Sequence, residues 1–161
     1  NFTGTGNIFV LNSSDVRTAT PDSKVGCIDA DGKFINPESN DVCGVFTLLK
    51  GYPYTLSSPN GNCTWNDKTQ EANTESTYGS GDHGWHCFSP YEGKVGESLY
   101  TIKGFPYTFL CNGDVNCFYD AKKIPASGST DRVSLWPFRW GSQQLGITPG
   151  HVQLQLLWNK L

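Results

Sequence analysis

Six cysteines, at positions 27, 43, 63, 87, 111 and 117, constrain what this chain can fold into more than any other feature. Their number is even, and they stand beside turn signals instead of in the cadence of a metal site. Three disulfides and an oxidising compartment are therefore expected. Cys111 and Cys117 bracket Asn112-Gly113-Asp114, a turn able to bring their Cα atoms within the ~4.4–6.8 Å that a bridge requires. The preferred scheme pairs Cys111 with Cys117, Cys27 with Cys43 and Cys63 with Cys87, from among the many connectivities that six cysteines allow. Each bridge would close a local loop and contribute ~2–4 kcal/mol.

The segments between the cysteines read as short strands. Asp31-Gly32 and Asn60-Gly61 are dipeptides suited to tight hairpin turns, each flanked by β-favouring residues. Residues 7–11 form an apolar run of strand length, 12–24 a polar loop, and 25–34 a hairpin around Asp31-Gly32. Residues 42–49 are the next strand candidate, with 52–56 continuing it past a bend at Lys50-Gly51. Residues 67–82, polar and rich in Gly, Ser and Thr, predict a long surface loop. Residues 118–125 and 133–136 are strand-like, and Val152-Gln153-Leu154-Gln155-Leu156 alternates as a strand with one buried face should. No segment carries a sustained helical period with caps. The expected fold is a single all-β domain over residues 1–161, a disulfide-stapled antiparallel barrel or sandwich. A partial repeat, in which residues 47–55 recur as 100–108, makes a β-trefoil the alternative.

Charged residues are 17% and aromatics 13%, with 18 glycines, a balance that suits pleated surfaces joined by turns. A net charge of −3 without a basic cluster argues against a nucleic-acid partner. No apolar run approaches the ~20 residues that span a bilayer, so no membrane partner is expected. Sequons begin at Asn1, Asn12 and Asn62, and the chain starts with neither Met nor an apolar leader. Together with the cysteines these features predict a secreted, extracellular glycoprotein.

The pattern from Cys27 through Gly32-Lys33-Phe34, Cys43-Gly44-Val45-Phe46, Thr55-Leu56-Ser57-Ser58, Gly61-Asn62-Cys63 and Cys87 carries a family resemblance. With Cys117-Phe118-Tyr119-Asp120-Ala121, Ile124-Pro125-Ala126-Ser127-Gly128 and the ending from Val152 to Trp158, it resembles the β-rich C-terminal extension of fungal secreted ribonucleases of the T-two type, and stand-alone fungal proteins related to it. The resemblance implies a non-catalytic β domain associated with cell-wall or surface attachment. Ribonuclease chemistry is not implied. His83-Gly84-Trp85 matches part of that enzyme's first histidine motif, but the second, a helix with Glu and Lys-His, is missing, so no acid–base pair is available.

Other chemistry is thinly represented. His83 and His86 beside Asp82 would form a metal site only if a third ligand such as His151 came near, and a polar loop is the simpler expectation. Asp29-Ala30-Asp31-Gly32 starts like a calcium loop without its later ligands and reads as a turn. No metal, cofactor or catalytic residue is expected. Trp136-Pro137-Phe138-Arg139-Trp140, Tyr52-Pro53-Tyr54 and Phe105-Pro106-Tyr107 set large rings beside prolines. Trp136, Phe138, Arg139, Trp140, Tyr52, Tyr54, Phe105 and Tyr107 are therefore the candidate contact residues, since aromatic and Arg side chains dominate hot spots. The competing expectation, slightly the stronger, is that these rings cap a barrel core. The functional expectation is a binding module for cell-wall or glycan surfaces. Its alternative is an accessory small subunit of a larger secreted enzyme, as in heterodimeric fungal laccases; a metal-dependent hydrolase is the outsider.

Overall fold

A computed structural model describes residues 2–51, 55–89, 99–112, 117–139 and 146–161. The described residues are almost wholly β, with two three-residue 3-10 turns, Pro21–Ser23 and Asn40–Val42, as the helical exceptions. The frame is a pair of long strands that the apolar alternation at each end of the chain produces. Strand β1 (Thr5–Leu11) runs antiparallel to β12 (Val152–Lys160), in register from Gly6↔Lys160 to Leu11↔Gln155.

Each of these strands shares its outer edge between two partners. The start of β1 pairs β4 (Phe46–Leu48), while its end pairs β2 (Lys24–Ile28), with a register shift between Val10 and Leu11. Along β12, Val152 to Leu154 pair β10 (Tyr119–Ala121), and Leu157 bridges Phe109 further on. Strands that share an edge must diverge, and with the right-handed twist and the local bend the sheet curls into a half-barrel. From β4 the sheet continues through β5 (Leu56–Ser58) and β6 (Gly61–Thr64) to β7 (His86–Phe88). On the other side β10 leads to β11 (Trp136–Pro137), and β3 (Phe34–Ile35) pairs β2. Residues 133–135 tie the sheet's flanks together: Val133 bridges Phe34, and the Trp85 N–H donates to the Leu135 carbonyl at 2.9 Å.

The three disulfides are Cys27–Cys43, Cys63–Cys87 and Cys111–Cys117, the scheme that local loops favoured. Cys63 and Cys87 face each other directly across β6 and β7. The hairpins also form, with different turns from those expected. Ile28↔Phe34 leaves residues 29–33 as a five-residue loop, in which the Asp29 carboxylate accepts from the Asp31 and Lys33 amides at 3.0 and 2.9 Å. Between β5 and β6 the turn residues are Pro59 and Asn60, because Ser58 pairs Gly61. Gly61, at φ 133°, is needed for another reason: a Cβ there would lie 2.2 Å from the Phe88 carbonyl carbon of β7.

Other expectations meet the structure less evenly. Of residues 52–56, 52–54 lie outside the described residues, and Thr55 and Leu56 do not extend the β4 strand: Leu49 N–H donates to the Thr55 carbonyl at 3.0 Å and β5 returns antiparallel to β4. Residues 67–82 are the expected loop, without a named strand and mostly exposed, but with buried anchors: Ala72 bridges His83, and Asn73 and Ser76 are buried. Strand β12 is covered on both faces from Leu154 to Trp158. Leu154, Leu156 and Trp158 enter the main core, while Leu157 joins Leu11, Ala19 and Phe109 on the opposite face. The repeat behind the trefoil alternative resolves into two local hairpins. Its first copy gives β4–β5 with Thr47↔Ser57, and its second gives β8 (Leu99–Tyr100) against β9 (Cys111–Asn112) with Tyr100↔Cys111, a separate two-stranded sheet.

The main core is organised by a column of rings. Phe46 stacks on Trp85, Trp85 on Trp65 and Trp65 on Tyr119, with centroids 5.6, 5.4 and 5.9 Å apart. Such pairs add ~0.5–1.5 kcal/mol each beyond the area they bury. Burial pushes the Tyr119 phenol far above its ordinary pKa, and the neutral hydroxyl donates to the Leu110 carbonyl at 3.0 Å.

Candidate functional site: an aromatic pocket at the β8–β9 loop

Residues 101–108 leave β8 and return to the sheet under backbone control. The Trp158 N–H donates to the Thr108 carbonyl and the Leu110 N–H to the Leu156 carbonyl, both at 2.9 Å, so the far end of the loop is fastened to β12. Gly104, at φ 98°, turns the chain between β8 and that fastened end. Pairing of β1 with β12 brings the chain's start to the same place, where Phe2 sits edge-on to Trp158 at 5.0 Å.

Between them lies a pocket of about 250 Å³, lined by Phe2, Thr101, Ile102, Lys103, Gly104, Phe105, Tyr107 and Thr108. Ile102 and Tyr107 are 36% and 37% exposed. Phe105 is half-buried, resting on the smaller apolar cluster with Phe9 and Val16, and Tyr107 meets Phe109 edge-on at 6.4 Å. The volume lies below the ~300–1,000 Å³ of sites that engulf a drug-sized ligand, which suits one ring of a longer molecule. Rings supply apolar faces, the Thr101 and Thr108 hydroxyls can donate or accept, and Lys103 supplies a cation.

The other candidate contact residues fare differently. Trp136 is 0% exposed and Phe138 4%, so they are core residues and not a contact surface. The Trp136 indole N–H donates to the Glu71 carbonyl at 2.9 Å, under cover of the packed-down loop. Arg139 is exposed but engaged, its Nε 3.0 Å from Asp82 Oδ2. Trp140, Tyr52 and Tyr54 lie outside the described residues, as does Asn1 among the sequons. Asn12 is exposed, and Asn62 is half-buried in β6. Sequence reasoning missed Phe2 and Ile102, which only the β1–β12 pairing and the loop's anchors bring beside Phe105 and Tyr107.

The three histidines do not converge, and no group of three metal-ligating side chains occurs among the described residues. His83 Nδ1 lies 3.0 Å from the Gln70 carbonyl and His86 Nδ1 2.6 Å from Asp67 Oδ2. Burial alone would raise the Asp67 pKa. Hydrogen bonds from the Thr69 amide and hydroxyl, and from His86, outweigh it and hold the carboxyl below its ordinary value. His151 belongs to a separate buried network. Its Nδ1 is 2.7 Å from Asp120 Oδ1, Asn73 donates to the other Asp120 oxygen at 2.9 Å, and the Trp136 indole stacks on the ring at 6.1 Å. Glu75 Oε1 stands 3.6 Å from His151 Nε2. The imidazole is 3% exposed, so this oriented pair is sealed from a substrate and fastens residues 73–75 to β10 and β12. On the opposite side of the loop–sheet junction, Arg132 holds Asp29 and Asp31 at 3.0 and 2.5 Å, fixing the turn that the calcium-like motif forms.

Comparison of the chain with family models, with curated proteins and with solved structures returned no match, so a functional reading rests on its own residues.

Proposed function

We propose that this protein is a secreted glycoprotein that works by attachment, as a non-catalytic binding module for glycan or cell-wall surfaces. The observation that carries the reading is the pocket at the β8–β9 loop, where Phe2, Ile102, Phe105 and Tyr107 line a concavity together with Thr101 and Thr108. Sugars offer a C–H face to an aromatic ring and hydroxyls to polar neighbours, and a small concave site that sets rings beside polar groups matches both needs. Three disulfides suit an oxidising, extracellular setting. No helix among the described residues is long and apolar enough to cross a membrane. The resemblance to the extension of fungal secreted ribonucleases points the same way, since it implies surface attachment. The sealing of His151 favours binding over catalysis, because a general base must reach the proton it removes.

Retention on insoluble β-glucan and chitin tests the proposal. The native protein is expected in the bound fraction, and Phe105→Ala or Tyr107→Ala in the supernatant. Unchanged retention of both variants, once folded, would refute the pocket as the contact. Failure on every polysaccharide, with retention by a larger secreted enzyme, would favour the accessory subunit.

A further inference from the structure

We infer that the glycan unit taken by this pocket carries an acid group, so that the ligand is an anionic polysaccharide. The inference rests on the binding reading above and specifies its ligand. Among the described residues Lys103 is the one charged residue that lines the pocket, and no carboxylate of those residues lines it. That local sign runs against the chain as a whole, which has 15 acidic and 12 basic residues.

Five of the chain's twelve Lys and Arg residues are held in ion pairs with internal partners. Arg17 pairs with Asp15, Lys122 with Glu71, Lys123 with Asp131, Arg132 with Asp29 and Asp31, and Arg139 with Asp82. Lys103 forms no ion pair among the described residues. The Lys160 ammonium, by contrast, donates to the Thr3 hydroxyl at 2.9 Å and does not line the pocket. A wall of rings with a cation at its edge, and no carboxylate among the described lining residues, opposes a neutral sugar no more than an acidic one, but it rewards the acidic one. Its ring can lie on Phe105 or Tyr107 while its acid group reaches the ammonium, a charge-assisted hydrogen bond stronger than a neutral one. The recognising chemistry is a negative group fixed on a pyranose ring, which a uronate carboxylate or a sugar sulfate would equally supply.

Titration of the soluble protein with four polymers tests this: polygalacturonate, its methyl ester, sulfated laminarin and plain laminarin. At low salt the acidic member of at least one pair should bind roughly tenfold tighter than its neutral counterpart, the size of a hydrogen bond to a charged group. Added salt should erode that preference. Lys103→Gln should abolish it and Lys103→Arg restore it, with melting temperatures of both variants near that of the native protein because the side chain is exposed. Whichever pair shows the preference identifies carboxylate or sulfate as the acid. Equal binding of acidic and neutral polymers, or a preference that survives Lys103→Gln, would overturn this inference while leaving the glycan reading intact. Binding to none of the four, nor to glucan or chitin, would overturn both.

Discussion

Trp136-Pro137-Phe138 and Phe105-Pro106-Tyr107 are the same kind of tripeptide, two large rings around a proline, yet one is core and the other lines a pocket. The difference comes from what each backbone pairs with and what lies over it. Trp136 and Pro137 form β11, hydrogen-bonded to β10 at the end of the sheet order, where a proline's missing N–H does no harm. The loop between β6 and β7 then covers Trp136, with Glu71 accepting from its indole and His151 stacked on its ring. Phe105 and Tyr107 lie instead between β8 and β9, in no strand, with the chain fastened to β12 only after them, at Thr108 and Leu110. An aromatic–proline signature therefore marks a place where large rings leave a regular ladder, and the covering segment decides whether they are buried.

The comparison is broken first by truncating its buried member. Trp136→Ala should cost ~3–5 kcal/mol of folding free energy, the range for large aromatic truncations in a packed interior. Chemical denaturation would read this as a large fall in midpoint, and a loss under ~1 kcal/mol would show that the indole is not held as described. Next in size is the polar clamp under the same loop. Asp120→Ala leaves His151 and Asn73 without their acceptor and should cost ~2–3 kcal/mol, by the penalty for stranding buried polar groups. Hydrogen exchange should then rise first in residues 71–76, which that clamp fastens down.

On the exposed side, Tyr107→Ala should change stability by no more than ~0.5 kcal/mol. It should still weaken glycan binding by ~1–2 kcal/mol, a loss visible by calorimetry. The smallest effect expected is a pH dependence. The Asp67 carboxyl is held below its ordinary value in the folded state, so the stability it contributes is present at neutral pH and lost as pH falls through that lowered value. Denaturation midpoints followed from neutral pH into the acid range should show this decline in the native protein and less of it in Asp67→Asn.

What the sequence made legible was local. The three disulfides join cysteines at separations of 16, 24 and 6 residues, close enough for turn signals between them to indicate the pairing. The hairpin of β2 with β3 and that of β5 with β6 were likewise readable from Asp31-Gly32 and Asn60-Gly61, although the turns themselves differ from the two-residue ones those dipeptides suggest. Features that depend on distant segments were not. Alternation in 152–156 suggested one buried face, and no local signal showed that Phe109 and Ala19 would cover the other. Residues 67–82 read as a surface loop because polarity usually means solvent, whereas Asn73 is buried by its bond to Asp120, 47 positions away. Half of the pocket was legible, as Phe105 and Tyr107. Phe2 was not, since its place depends on β1 lying against the far end of the chain.

The most direct test is to watch aromatic side chains while the pocket fills. In nuclear magnetic resonance titrations with a short soluble oligosaccharide of whichever polymer binds best, ring signals of Phe2, Phe105 and Tyr107 and the methyls of Ile102 should shift together and saturate with one affinity. Those of Trp136 and Phe138 should stay in place. Shifts that leave the pocket rings untouched, or that centre on Trp136 and Phe138, would contradict the assignment of the β8–β9 loop as the contact surface.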